Sequence, residues 1–205
     1  YFAGFFVMLI KYSYSLLKLK LILRKCPEAD ENTIIKVRDT AMRYKLPLCK
    51  IRILKGINSP FICGIISPVL VLPEGDTDEK IILHELLHLK YKDVLWGIPI
   101  ALYRCIHWCN PFLWYCFNKI NNDIEELCDA RVISLLDGEE RREYGNIILS
   151  MANGKYASLP GTSSIANGGK NIRSRIETIA RFKQYPQGNT VVSLCIIALL
   201  VSSLF

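Results

Sequence analysis

Apolar residues fill the first ten positions, Tyr1 to Ile10. That is half of the ~20 that a membrane-spanning helix requires, so the run reads as the back end of such a helix. From Lys11 to Lys25 the pattern turns amphipathic and basic, as in a helix leaving a membrane. Apolar positions at Ile34, Ile35, Val37, Ala41 and Met42 predict an amphipathic helix over 29–45, with Asn32 or Thr33 as its N-cap. Lys50–Leu54 alternates, and Phe61–Ile66 and Val69–Leu72 are β-rich, separated by Asn58-Ser59-Pro60 and Ser67-Pro68. These runs predict a sheet of two or three strands with proline at the strand starts. Asp76 or Thr77 then caps an amphipathic helix through His84 to about Tyr91. Residues 94–118 are almost wholly apolar, broken by Pro99, Arg104, His107 and Asn110-Pro111. Helices are expected over 120–136 and 139–152, a Gly/Ser/Asn-rich loop over 153–169, and a basic helix over 170–183. Val191–Phe205 reads as the start of a second spanning helix, and there are no internal repeats.

Composition sharpens this picture. The 205 residues are 51% hydrophobic and 22% charged, which excludes disorder and collagen-like chains and suggests that part of the chain sits in lipid. Both ends fall within apolar runs, which predicts a segment of a longer membrane protein. Basic residues exceed acidic ones by 26 to 19, and the excess is local. Lys11, Lys18, Lys20, Arg24 and Lys25 form one cluster, and Lys170, Arg173, Arg175, Arg181 and Lys183 form another. Each lies beside an apolar run, the pattern of anchors on the cytoplasmic side of a membrane. No base-reading motif accompanies the charge, so direct nucleic-acid binding is not expected. The eight cysteines include no C-x-x-C pair, which points to free thiols in a reducing compartment.

The chemistry concentrates in His84-Glu85-Leu86-Leu87-His88. Helical residues four apart share a face, so both imidazoles can reach one tetrahedral ion while Glu85 acts as base toward water. With three histidines in the chain, a chance match is on the order of 0.2%. The bland reading, a structural helix whose histidines bond the backbone, is the weaker one. A catalytic zinc needs a third protein ligand and one open position. The candidates are His107 and, on the downstream helix, Asp123, Glu125, Glu126 and Asp129. Glu125 and Asp129 share a helix face, so that one can bind metal while the other accepts a hydrogen bond from a liganding imidazole. Acidic pairs at this spacing are usually solvated; beside H-E-x-x-H they resemble the gluzincin pattern, in which the third ligand is a glutamate. Cys128 between them is more simply a buried small residue, and Asp93 a helix cap. Tyr144 and Arg131 are conceivable oxyanion donors, although such residues more often pack or pair.

A wider resemblance joins these pieces. Ser59-Pro60-Phe61, Gly64, Pro68 and Leu72-Pro73 precede the His84–His88 motif and Asp93. His107-Trp108-x-Asn110-Pro111-x-x-Trp114, Glu125-x-x-Cys128-Asp129, Tyr144-Gly145 and the basic Arg173–Ile179 helix follow. In this order and spacing they resemble the integral-membrane metallopeptidase domain of the BlaR/MecR antibiotic sensors. The resemblance implies His84, His88 and Glu125 as zinc ligands and Glu85 as catalytic base; with Glu125 a ligand, the shared helix face leaves Asp129 to orient an imidazole. It implies an α+β fold, a mainly helical gluzincin-like zinc peptidase with a small sheet, flanked by truncated transmembrane helices. Residues 1–25 would then be the end of a spanning helix plus a basic helix, 26–187 the cytoplasm-facing peptidase, and 188–205 the start of another span. The expected partners are a peptide or protein substrate, such as a transcriptional repressor or the protein itself, and the lipid bilayer. Homo-oligomerisation is compatible with this, and localisation would be the cell membrane in several passes. In the antibiotic sensors an extracellular penicillin-binding domain follows the last span and signals the protease; no such domain is present among these residues.

One topological expectation follows from the ligand set. Since His84, His88 and Glu125 must meet, 94–118 cannot cross a membrane once between them, and ~25 residues at 1.5 Å each are too few for two crossings. A helical hairpin turning near Asn110-Pro111 is expected, either re-entrant in lipid or part of the core, with Arg104 and His107 facing protein or the interface. Two other functions fit less well: a housekeeping membrane protease, which lacks the Trp-x-Asn-Pro context, and a non-catalytic transducer, which would not need Glu85 and the full ligand set.

Overall fold

The computed structural model describes residues 1–57, 59–153 and 168–181. Helix α1 (Phe2–Lys25) leads to α2 (Glu31–Arg43), strands β1 (Lys50–Ile53), β2 (Phe61–Cys63) and β3 (Val69–Leu72), and helix α3 (Glu79–Tyr91). A 3-10 turn (Asp93–Trp96) enters α4 (Gly97–Ile106), followed by α5 (Pro111–Leu135), α6 (Gly138–Asn153) and α7 (Gly168–Arg181). The fold is α+β and mainly helical, as the patterning predicts.

The sheet has the order β1-β3-β2. β1 runs parallel to β3, pairing Ile51 with Leu70, and β2 runs antiparallel, pairing Ile62 with Leu70. Pro60 and Pro68 stand immediately before β2 and β3, where no ladder hydrogen bond is lost. Gly64 turns the chain after β2 at φ +90°, and a Cβ there would lie 2.7 Å from the Ser67 carbonyl oxygen, so glycine is required.

The caps differ in detail from the expected ones. Asp30, not Asn32 or Thr33, starts α2, its carboxylate accepting from the Thr33 amide at 3.3 Å and the Thr33 hydroxyl at 2.6 Å. Asp78 caps α3, accepting from the Lys80 amide at 2.8 Å, while Asp76 pairs with Lys36. Helix α3 is not amphipathic in place: every residue from Ile81 to His88 is buried, because α2, the sheet and α5 surround it.

The apolar stretch 94–118 does form a helical hairpin. Asn110 turns it, its Oδ1 accepting from the Phe112 and Leu113 amides at 3.0 and 3.3 Å, with Pro111 at the first helical position. The outgoing arm is not a separate element. It continues unbroken as α5 to Leu135, so hairpin and presumed ligand helix are one rod of about 37 Å. Arg104 faces protein: it donates to Asn118 Oδ1 at 2.8 Å and lies over the rings of Trp114 and Phe117. His107 stacks on Tyr103. The hairpin also leaves Trp96, Ile98, Phe112 and Tyr115 exposed, unlike a plain core hairpin.

Helix α1 is continuous through both the apolar and the basic segments, buries only Leu19, and packs on α4. Trp108 occupies the space beside Gly4 that a side chain would need. Among the described residues, no helix is long and apolar enough to cross a membrane. The expected loop over most of 153–169 and the second span over 188–205 lie outside the described residues.

Candidate metal centre

His84 and His88 sit one turn apart on α3 and point the same way, their Nε2 atoms 3.1 Å apart. Both imidazoles are held from the other side. His88 Nδ1 lies 2.8 Å from Asp93 Oδ2. His84 Nδ1 lies 2.8 Å from the Tyr144 hydroxyl, which itself donates to Asp129 Oδ1 at 2.6 Å. Asp129 Oδ1 also stands 3.3 Å from His84 Nδ1. With acceptors at both Nδ1 positions the hydrogens belong there, which assigns lone pairs to the two facing Nε2 atoms. Two lone pairs at 3.1 Å repel unless something positive lies between them. A proton serves in the bare protein, and a metal cation serves better, because Glu125 comes from α5 to the same point. Its Oε2 is 3.4 Å from His84 Nε2 and its Oε1 3.6 Å from His88 Nε2. Glu125 Oε2 is buried with no hydrogen-bond partner. A buried carboxylate oxygen without a partner is costly. Two nitrogens and one oxygen are donors suited to a divalent zinc-like ion, so the residues present fit one.

Cys128 enters the same space. Its sulfur, His84 and His88 offer three atoms all within 4.8 Å of one another, and the thiol donates to the His84 carbonyl at 3.4 Å. It is fully buried, as a small core residue would be, and it also stands within ligand range.

The carboxylates diverge in acidity. Burial pushes Glu85 up to about 7, against the pull of His84 and His88. Glu125 is equally buried, but the neighbouring His84 imidazole, His88 and Arg175 outweigh burial and hold it down to about 2. Asp129 is also held well below the usual range: burial opposes this and the Arg175 guanidinium overcomes it. A buried carboxyl near neutrality beside two committed carboxylates is the pattern of a base among fixed anions.

The structure brings His84, Glu85, His88, Glu125 and Asp129 into one buried cluster and leaves Glu126 to Ser174, whose hydroxyl it accepts. His107 stays on the hairpin. Asp93 is not the helix cap expected of it: Lys92 and Trp96 stand at the cap positions without side-chain cap bonds, and the Asp93 carboxylate instead orients His88 and pairs with Arg131 at 3.5 Å. Arg131 also lies over the Tyr91 ring at 3.6 Å. Tyr144 is fully buried on the Nδ1 side of His84. Tyr144 thus bonds His84 and Asp129, and Arg131 backs Asp93, the packing and pairing more usual for such residues. Sequence reasoning missed Arg175. The basic run 170–183 reads as membrane-facing charge, yet Arg175 is 1% exposed. It donates to both Asp129 oxygens, Nε at 2.6 Å and Nη2 at 2.7 Å. The available signal was its spacing of four from Ile179, which shares its helix face and packs on the core.

Comparison with known proteins finds relatives over most of this chain. Regulatory protein BlaR1 of Bacillus licheniformis is 29% identical over 193 residues, covering 88% of this chain and 32% of that protein. The methicillin resistance mecR1 proteins of Staphylococcus aureus and Staphylococcus epidermidis are 27% identical over 186 residues, 84% of this chain and 32% of theirs. The chain therefore spans about a third of the length of these curated relatives. The family model for the BlaR1 peptidase M56 matches residues 1–179, from the first helix through every residue of the cluster, and on that match this chain belongs to the BlaR1 peptidase M56 family.

Proposed function

We propose that the chain is the peptidase part of a membrane-bound regulatory zinc endopeptidase, with the gluzincin ligand set His84, His88 and Glu125. The observation that carries this reading is the pair of Nε2 atoms 3.1 Å apart, facing a buried Glu125 oxygen that no hydrogen bond satisfies. When bound there, zinc supplies Lewis acidity to a peptide carbonyl and acidifies water. Glu85, pushed up to about 7, takes the proton from the attacking water and passes it to the leaving amine. Asp93 and Asp129 keep the imidazoles in the tautomer that ligation needs. Strand β2 is an edge of the sheet next to α3, where an extended peptide would dock by strand addition. A cytoplasmic protein such as a transcriptional repressor, or the chain itself, is the substrate that the regulatory and resistance names of its relatives suggest. The basic residues of α1 and the exposed apolar residues of α1 and the hairpin support attachment to a cell membrane, with the site on the cytoplasmic side.

A second reading rests on Cys128. If the thiolate joined the two histidines and Glu125, the site would be closed, as structural zinc sites are, and the domain would be a scaffold for signalling. Zinc per chain in detergent-purified protein, measured beside Glu125→Ala and Cys128→Ser, separates the two. The peptidase reading expects about one zinc in the parent, strong loss in Glu125→Ala and retention in Cys128→Ser. Loss in Cys128→Ser, with a thiolate charge-transfer band in the cobalt-substituted parent, supports the scaffold. No zinc in the parent removes both.

A further inference from the structure

Arg175 on α7 lies 46 positions beyond its partner Asp129. A buried guanidinium costs several kcal/mol in desolvation unless it is well paired. Two of its nitrogens are bound by Asp129, while Nη1 has no hydrogen-bond partner and faces the equally unpartnered Glu125 Oε2 at 3.5 Å. Docking of α7 does not by itself call for this charge. Ile176 and Ile179 already pack on the core, Ser174 reaches Glu126, and an apolar side chain would fill the remaining space at lower cost. What Arg175 adds is one cation touching both the carboxylate that serves His84 and the carboxylate that faces the two Nε2 atoms.

We propose that Arg175 is a positioning residue of the metal site: it sets Asp129 against the Nδ1 side of His84 and steadies Glu125 from behind, so that the three ligands are in place only when α7 is docked. This rests on the zinc reading of His84, His88 and Glu125. It makes zinc affinity depend on a helix that contributes no ligand, and any event that lifts α7 loosens the ion.

The test is zinc affinity of the full chain in detergent, by competition with a chromophoric chelator, together with the visible spectrum of the cobalt-substituted protein. Arg175→Met is expected to bind zinc about 10- to 100-fold more weakly and to change the cobalt bands. Arg175→Lys keeps the charge but not the two-pronged contact, and recovers part of the loss. Val37→Ala, a core truncation in α2, lowers stability without moving either readout. If Arg175→Met does not fold, Asp129→Asn combined with Arg175→Met removes both buried charges, and its zinc affinity is expected to fall below that of Asp129→Asn alone, through the lost contact with Glu125. A folded Arg175 variant with parental affinity and an unchanged cobalt spectrum overturns the inference alone, as does a Val37→Ala loss of equal size. Failure of both the single and the double variant to fold assigns Arg175 to the core and overturns it too. A parent without zinc overturns the zinc reading beneath it.

Discussion

At the scale of single residues the cluster is a balance of charges that must be read together. Without metal, burial tends to lower His84 and His88, but Cys128 and, respectively, Tyr144 and Asp93 lead the groups that raise both well above their ordinary 6.5. A raised imidazole contributes stability that is fully present below the unfolded value and is lost as pH rises through the folded one. Glu125, held down to about 2 from 4.5, contributes stability above 4.5 that is lost as pH falls. Glu85, raised to about 7, withdraws stability as pH climbs from 4.5 to 7, so metal-free protein is expected to be most resistant to urea near pH 4.5 and to weaken more steeply above about 6.5. Adding zinc, which needs neutral imidazoles, moves that maximum upward, and the zinc affinity itself rises from pH 6 to pH 8. Equilibrium unfolding across pH with and without chelator checks both statements. Glu85→Gln keeps shape and removes the base. Cleavage is expected to drop by about 10²- to 10⁴-fold with one zinc retained, and a variant that still cleaves at the parental rate refutes the role of Glu85.

At the scale of elements, α5 matters most, because one unbroken helix carries the hairpin's outgoing arm and then Glu125, Cys128 and Asp129. Its start is set by Asn110, so Asn110→Ala is expected to cost about 1 kcal/mol by denaturant titration, and Asn110→Asp much less. Gly64→Ala forces a side chain into both a left-handed φ and the Ser67 carbonyl, and the expected loss, above ~1 kcal/mol, is read the same way. Elements were legible wherever period and punctuation agreed: prolines before strands, H-E-x-x-H at helical spacing, Asn-Pro at the hairpin turn. They were less legible at the caps, where Asp30 and Asp78 prevailed over close neighbours because several capping residues stand in a row and only the geometry chooses. The burial of α3 on every side was hidden as well, since its histidines and Glu85 read as a polar face until α5 and α6 supply partners.

At the scale of the whole molecule, the hairpin and α1 leave aromatic and aliphatic side chains uncovered, including Phe2 at 77% and Phe112 at 69% exposed. Soluble surfaces seldom carry so many together. Replacing Trp96, Phe112 and Tyr115 with serine is expected to weaken association of the purified chain with anionic vesicles in flotation, with zinc content unchanged; equal flotation would remove the hairpin from the membrane contact. The sequence by itself determined what is local or periodic: a helical chain with one small sheet, two histidines on one helical face, an acidic pair one turn apart, and a turn at Asn110-Pro111. Spacing along a helix determines which residues share a face, so those features were readable. Only the tertiary structure decided which acid meets the imidazoles, that Asp93 and Tyr144 orient them, that Cys128 shares their space, and that Arg175 points inward. Except for Asp93, which is five residues from His88 across the turn after α3, those contacts join elements distant in the chain, and no one-dimensional pattern records which face of one helix lies against another.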